Sequence, residues 1–279
     1  MASNLSTIGF VFTNNDEFSQ KMIELAEQTE TQALCPAGHY AVWSETSGAQ
    51  LWFHVSPEGN NGAEPTELAI LGLTPFFEGK SSVPVKITAP INRADDNDFE
   101  GGFYAWIGPD DSGEGVYPMV FDAVDFAIHA KRQLPFEAKV RLSGFARELT
   151  AHASPEAYEA IEDDRPKLAT RSFIPMGIFA ASSADDADND NDADEGGADE
   201  GGADEGGGQK PSATAMLTGI VSSHHVLTNA NTGHEFHWLS VDSLEATFDI
   251  IADPEVISGD IVKGGVVEVV CWFFGRLLD

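Results

Sequence analysis

The chain has 279 residues, 42% of them apolar, with 18 Phe and 5 Trp, which is ample material for folded cores and too much chain for one small unit. Asp and Glu number 46 against 15 Lys and Arg, a formal net charge of -31. A field of that sign repels phosphate backbones, so direct binding of nucleic acid or of an anionic membrane is disfavoured, and a basic protein, a cation or a high-salt solvent fits better.

Cys35 and Cys271 are too few for a disulfide framework and sit beside apolar residues, so both are expected to be buried reduced thiols. Residues 1–12 lack a basic region followed by a long apolar stretch and a small-residue cleavage site, so no secretory signal is expected. No window approaches the roughly 18 apolar residues that a membrane span needs. The expected location is cytoplasmic.

In chain order, residues 7–12 form a short apolar run that reads as a strand. Asn14 three residues before Glu17 marks a helix start, and Phe18, Met22, Leu25, Ala26 and Thr29 follow at helical spacing, predicting a helix over 16–32. Aromatic and β-branched runs at 39–43 and 50–55, divided by Ser47-Gly48, predict a hairpin. Strand-like pieces continue at 67–77, 83–87 and 102–108. Residues 117–133 fit strand or helix, whereas Phe136, Ala138, Val140 and Leu142 alternate as a strand does. Ser154-Pro155 opens a short acidic helix.

Eleven acids lie between Asp185 and Glu205, within a stretch that contains three Ala-Asp-Glu-Gly-Gly pentads starting at Ala193, Ala198 and Ala203. Such a segment buries no apolar area to offset its ordering entropy, so 182–210 is expected to be a disordered acidic linker. Outside it the balance is still about 35 acids to 14 bases. The expected organisation is α+β, mostly antiparallel β: a β-rich domain at 1–181 with one or two helices, the linker, and a small barrel at 211–279.

Over residues 5–75 the order strand-helix-strand-strand resembles the βαβββ module of the glyoxalase and bleomycin-resistance superfamily, whose metal-binding His and Glu residues have no counterparts here. Residues 213–228, 233–241, 246–251 and 262–274 read as four or five strands with a turn at 229–233 and a Gly264-Gly265 kink, and this segment resembles an OB-fold-like small barrel. The nucleic-acid face of such barrels is basic and aromatic. Here 211–279 holds only Lys263 and Arg276 among its bases.

Four of the eight histidines fall between His224 and His237. A four-residue loop from Asn229 to Thr232 would place His224 opposite His237, and a one-residue change would place His225 there, with Glu235 on the face of His237. His224 or His225, Glu235 and His237 would then supply two imidazoles and a carboxylate, a ligand set for a divalent metal such as zinc or iron. The competing reading is a pair of exposed strands near a turn.

Asp96-Asn97-Asp98-Phe99-Glu100-Gly101 resembles the first half of a calcium loop, but Ile107 stands where the bidentate carboxylate belongs, so a solvated acidic turn is expected. Asp110, Asp111 and Glu114 read the same way. Trp43, Trp52, Phe53, Phe76, Phe77, Trp106, Trp272, Phe273 and Phe274 are read mainly as core, with Trp272 or Phe273 leaving the barrel interior for the first domain. The common catalytic and nucleotide-binding motifs are missing. The expectation is a binding or scaffold protein that meets a basic protein partner through an acidic surface, without a cofactor; the alternative is a metal-binding protein or metal-dependent enzyme centred on the histidine hairpin.

Overall fold

A computed structural model describes residues 3–29, 31–58, 67–93, 96–109, 115–161, 167–178 and 211–278. The expected linker at 182–210 and the acidic turn at Asp110, Asp111 and Glu114 lie outside the described residues.

Helix α1 (Asn15–Glu27) starts where the capping signal places it: the Asn14 side chain accepts from the Glu17 N–H at 2.8 Å, and Glu17 accepts from the Thr13 N–H at 3.0 Å. It stops earlier than expected, because β1 (Thr31–Cys35) takes the residues that follow. The predicted strand at 7–12 is not one. Ser6–Ile8 form a 3-10 turn closed by Gly9 at φ +79°. The Ile8 carbonyl accepts from Asn229 Nδ2 and the Gly9 carbonyl from Thr232 Oγ1, so a loop of the C-terminal part satisfies this backbone in place of a strand partner. The strand-helix-strand-strand order therefore fails at its first member.

Strands β1, β2 (Gly38–Ser44), β3 (Ala49–Glu58) and β4 (Glu67–Phe77) make an antiparallel four-stranded meander. The other strands belong to one larger sheet: β5 (Val83–Ile91), β6 (Gly102–Ile107), β7 (Tyr117–Ala123), β8 (Phe136–His152), β9 (Ser172–Pro175), β10 (Thr214–Thr228), β11 (Glu235–Asp242), β12 (Thr247–Ala252), β13 (Ile257–Ser258) and β14 (Val266–Leu278). Two short helices, α2 (Phe126–His129) and α3 (Pro155–Glu159), interrupt them, the second capped by Ser154. The ambiguous stretch 117–133 is thus strand first and helix second.

This sheet closes on itself twice. One ring runs β8-β5-β6-β7-β14 and returns to β8. The other runs β14-β10-β11-β12-β8 and returns to β14. Within 211–279, β12 pairs with β11 and, in parallel, with β8 of the preceding part, and the second ring includes β8.

The two rings are related by an approximate twofold relation. In each, three antiparallel strands lead through a short helical turn to a long fourth strand, and the third strand pairs in parallel with the fourth strand of the other set. Asp122 faces Phe274, Asp249 faces Ser143, and Ser143 faces Phe274, so the relation passes through that last pair. The next residue on each long strand is a glycine, Gly275 or Gly144. A Cβ on Gly275 would run into the Phe121 ring, and one on Gly144 would lie 2.7 Å from Ile250. Both glycines exist to let another strand cross closely.

Alternation along the strands fills the rings with Val85, Phe121, Leu142, Leu217, Phe248, Ile250 and Phe273. The outer face packs against the four-stranded sheet and α1 through Phe145, Trp238, Phe274, Trp43, Phe53 and Leu25. Phe273 therefore stays inside a ring, and its neighbours Trp272 and Phe274 turn outward. Trp106 is 38% exposed. Cys271 is buried, which pushes its thiol up, while Cys35 is only half-buried. Among the described residues, no helix is long and apolar enough to cross a membrane.

Candidate functional site

The histidine hairpin forms with a different register. Six residues, 229–234, join β10 to β11, with the Asn229 N–H donating to the His234 carbonyl and the Gly233 N–H to the Asn229 carbonyl. Val226, not a histidine, faces His237, and His225 faces Trp238. Because strand side chains alternate, His224 shares the face of Val226 and meets His237 diagonally. His224 Nε2 lies 3.0 Å from His237 Nδ1, with ring centroids 5.0 Å apart and planes 23° from parallel. His225 points the other way and stacks on Trp238 at 5.5 Å.

Burial holds both His224 and His237 below the ordinary imidazole range; His237 adds to the effect on His224, and Glu235 partly offsets it on His237. At 3.0 Å one ring nitrogen must donate and the other accept, so the contact excludes the doubly charged pair. Glu235 is exposed and borders an open hollow of about 880 Å³ beside Phe10, Phe18 and Pro254. Among the described residues, no three His, Cys, Asp or Glu side chains converge as a metal-holding group. The structure thus unites His224 with His237, turns His225 to the opposite face and leaves Glu235 outside such a group.

A second site, which the sequence did not reveal, is a cleft of about 200 Å³ where β4, the β5–β6 connection, β7 and β14 meet. Arg93 Nη2 binds Asp122 Oδ1 at 2.6 Å, and Trp272 Nε1 donates to Asp122 Oδ2 at 2.8 Å. Asp96 accepts from the Arg93 N–H at 2.7 Å and lies 3.8 Å from its guanidinium, so one acid of the turn helps to hold this arginine. Burial raises the Asp122 carboxyl and Arg93 opposes the rise. Burial raises Glu100 as well.

Behind Glu100 stands His54, 1% exposed, stacked on Phe99 at 5.3 Å and bonded to Thr74 at 3.1 Å. Its Nδ1 is 3.6 Å from Glu100 Oε1. A carboxylate at that distance favours an imidazolium, yet burial dominates and lowers His54 to about 4. The pair is therefore a neutral imidazole beside a carboxyl that is itself hard to ionise.

Asp249, the twofold counterpart of Asp122, is fully buried and accepts from Trp238 Nε1 at 2.7 Å and from the Ser81 N–H at 2.8 Å. Gly79 packs against its carboxyl so tightly that a Cβ there would overlap it. One copy of the position is plugged by the chain's own 79–81 segment, and the other opens to a cleft. Beside the paired glycines Gly144 and Gly275, a local sign of the duplication is the Phe-Asp dipeptide at 121–122 and again at 248–249.

No known protein family, curated protein or solved structure matches this chain.

Proposed function

We propose that this is a non-catalytic binding protein that engages a basic protein partner through its acidic surface. The observation that carries this reading is how the cations are used. Arg93 is tied to Asp122, Arg141 and Arg276 both to Glu78, Arg171 to Asp242 and Lys21 to Glu24. Acids outside 182–210 still outnumber bases by about 35 to 14, so the outward field is negative and favours a cationic partner. In the cleft, too, Arg93 is paired with Asp122.

The test is affinity capture by the full chain from nuclease-treated host lysate, followed by rebinding of each purified candidate. A basic protein that rebinds with fixed stoichiometry and loses affinity as salt rises is the expected result. Capture of nothing, or of nucleic acid alone, refutes the proposal.

A second reading places a divalent metal on His224 and His237. The 3.0 Å separation of their facing nitrogens favours it, because two imidazoles bound to one zinc at about 2.0–2.1 Å hold their nitrogens at nearly that spacing. Solvent would complete the shell. Elemental analysis beside His237→Ala decides: near-stoichiometric zinc or iron lost in the variant supports it, and metal content that does not change removes it.

A further inference from the structure

A groove of about 550 Å³ lies along the outer face of the shared β8–β14 pair, roofed by α3 and residues 167–168. Its volume is within the range that holds small organic ligands. Met216, Val270, Leu168 and Ile161 give it apolar walls. Glu148, Thr150, His152, Tyr158 and Glu268 add polar groups to its lining.

Glu268 is held from two sides. His152 Nε2 lies 3.1 Å from Oε2, and the single proton of the Tyr158 hydroxyl is shared between the Leu168 carbonyl at 3.0 Å and Oε1 at 3.4 Å. The side chain nevertheless remains 39% exposed. Thr150 faces Glu268 across the ladder and Glu148 faces Val270, so Glu148 projects from the same face, diagonal to Glu268. The nearby ammonium of Lys167 lies over the Tyr158 ring at 5.6 Å and donates to the Glu159 and Ile161 carbonyls at 2.9 and 2.5 Å, which fixes it against α3. A positioned carboxylate with a second acid beside it, next to apolar walls, is complementary to a molecule with an apolar body and a cationic head.

We propose that this groove binds a small amphipathic amine, its ammonium on Glu268 and Glu148 and its apolar body against Met216 and Val270. The site is separate from the histidine hairpin and from the cleft at Asp122, and it does not depend on the protein-partner reading.

The probe is 2-phenylethylamine, compared at fixed ionic strength with 3-phenylpropionate and 2-phenylethanol, and followed by NMR through the Met216 methyl and the His152 and Tyr158 ring signals. Saturable shifts confined to these groups with the amine, and much weaker ones with the acid and the alcohol, are expected. Glu268→Gln should weaken binding about three-fold, the size of a partly exposed charge contact, and Met216→Ala should weaken it too. The exposed control Glu27→Gln should leave it unchanged, and an unaltered Tm for Glu268→Gln certifies its fold. Equal binding of the acid or the alcohol, or an affinity for the amine that Glu268→Gln leaves unchanged, would overturn the proposal, as would the same loss in Glu27→Gln.

Discussion

Asp122 and Asp249 occupy the same position in two strand rings, each accepting a tryptophan indole N–H, yet one meets an arginine at the edge of a cleft and the other a backbone N–H inside a plug. The two carboxyls are thus held by different forces.

At Asp122 the partner is a charge. Asp122→Asn leaves Arg93, whose side chain is 18% exposed, without its closest counter-ion, and a loss of about 3 kcal/mol in urea unfolding is expected. Asp249→Asn keeps an acceptor for one of its two neutral donors and should cost less, about 1–2 kcal/mol. Equal losses would mean that the Arg93 pair contributes no more than a neutral hydrogen bond.

His54 makes folding sensitive to acid. Its ordinary value is 6.5 and its folded value about 4, so between these pH values the unfolded chain binds a proton that the folded chain refuses. The stability it contributes is complete above about pH 6.5 and drains away towards pH 4, amounting to about 3 kcal/mol. Glu100, raised by burial, binds its proton more readily when folded and offsets part of this loss at the acid end. In His54→Gln the slope of stability against pH between 6.5 and 4 should flatten, as read by chemical denaturation at each pH.

Removing His237 frees its neighbour. In His237→Ala the His224 ring gains solvent and loses an adjacent imidazole, so its titration, followed by NMR, should move up towards the ordinary histidine range. An unmoved His224 would mean that the contact contributes nothing to its depression.

The crossing glycines tolerate no side chain. Gly275→Ala and Gly144→Ala each force a methyl into a packed crossing, against Phe121 in one case and Ile250 and Cys271 in the other. Each should cost about 1–3 kcal/mol in denaturant unfolding. Gly233→Ala, with no atom within 4 Å of the new methyl, tests backbone strain alone because its φ is +74°.

A net charge of -31 should be felt by the fold itself. Raising potassium chloride to about 1 M shortens the screening length to about 3 Å, so Tm should climb steadily with salt. A flat profile would mean that the acids are spaced widely enough to cost the folded state little, and would add weight to partner binding as their role.

Local features were legible in the sequence. Asn14 with Glu17, Ser154 with Pro155, and the alternation from Phe136 to Leu142 are interactions within a few residues, and each appears where it was expected. Residues 7–12 misled because a short apolar run fits any buried backbone, and only the distant Asn229 and Thr232 decide which. The histidines were placed on one hairpin correctly, but the register followed a six-residue loop that Asn229 organises through its own contacts. Arg93, Asp122 and Trp272 could not be grouped by spacing, since 29 residues separate the first two and 150 the last two. Parallel pairing of β7 with β14 and β12 with β8 leaves no local signature at all.

The strand at 266–278 borders both rings, and this sets the order in which the molecule can assemble. While the chain emerges from a ribosome, β5 to β8 have no closing partner and β10 to β12 have only half of theirs. Every intermediate before that last strand therefore presents open sheet edges, and the final docking must span well over a hundred residues of chain. Folding should be slow, with neither ring able to close until 266–278 has been made, and a cell that makes this protein must keep its unfinished edges from finding one another.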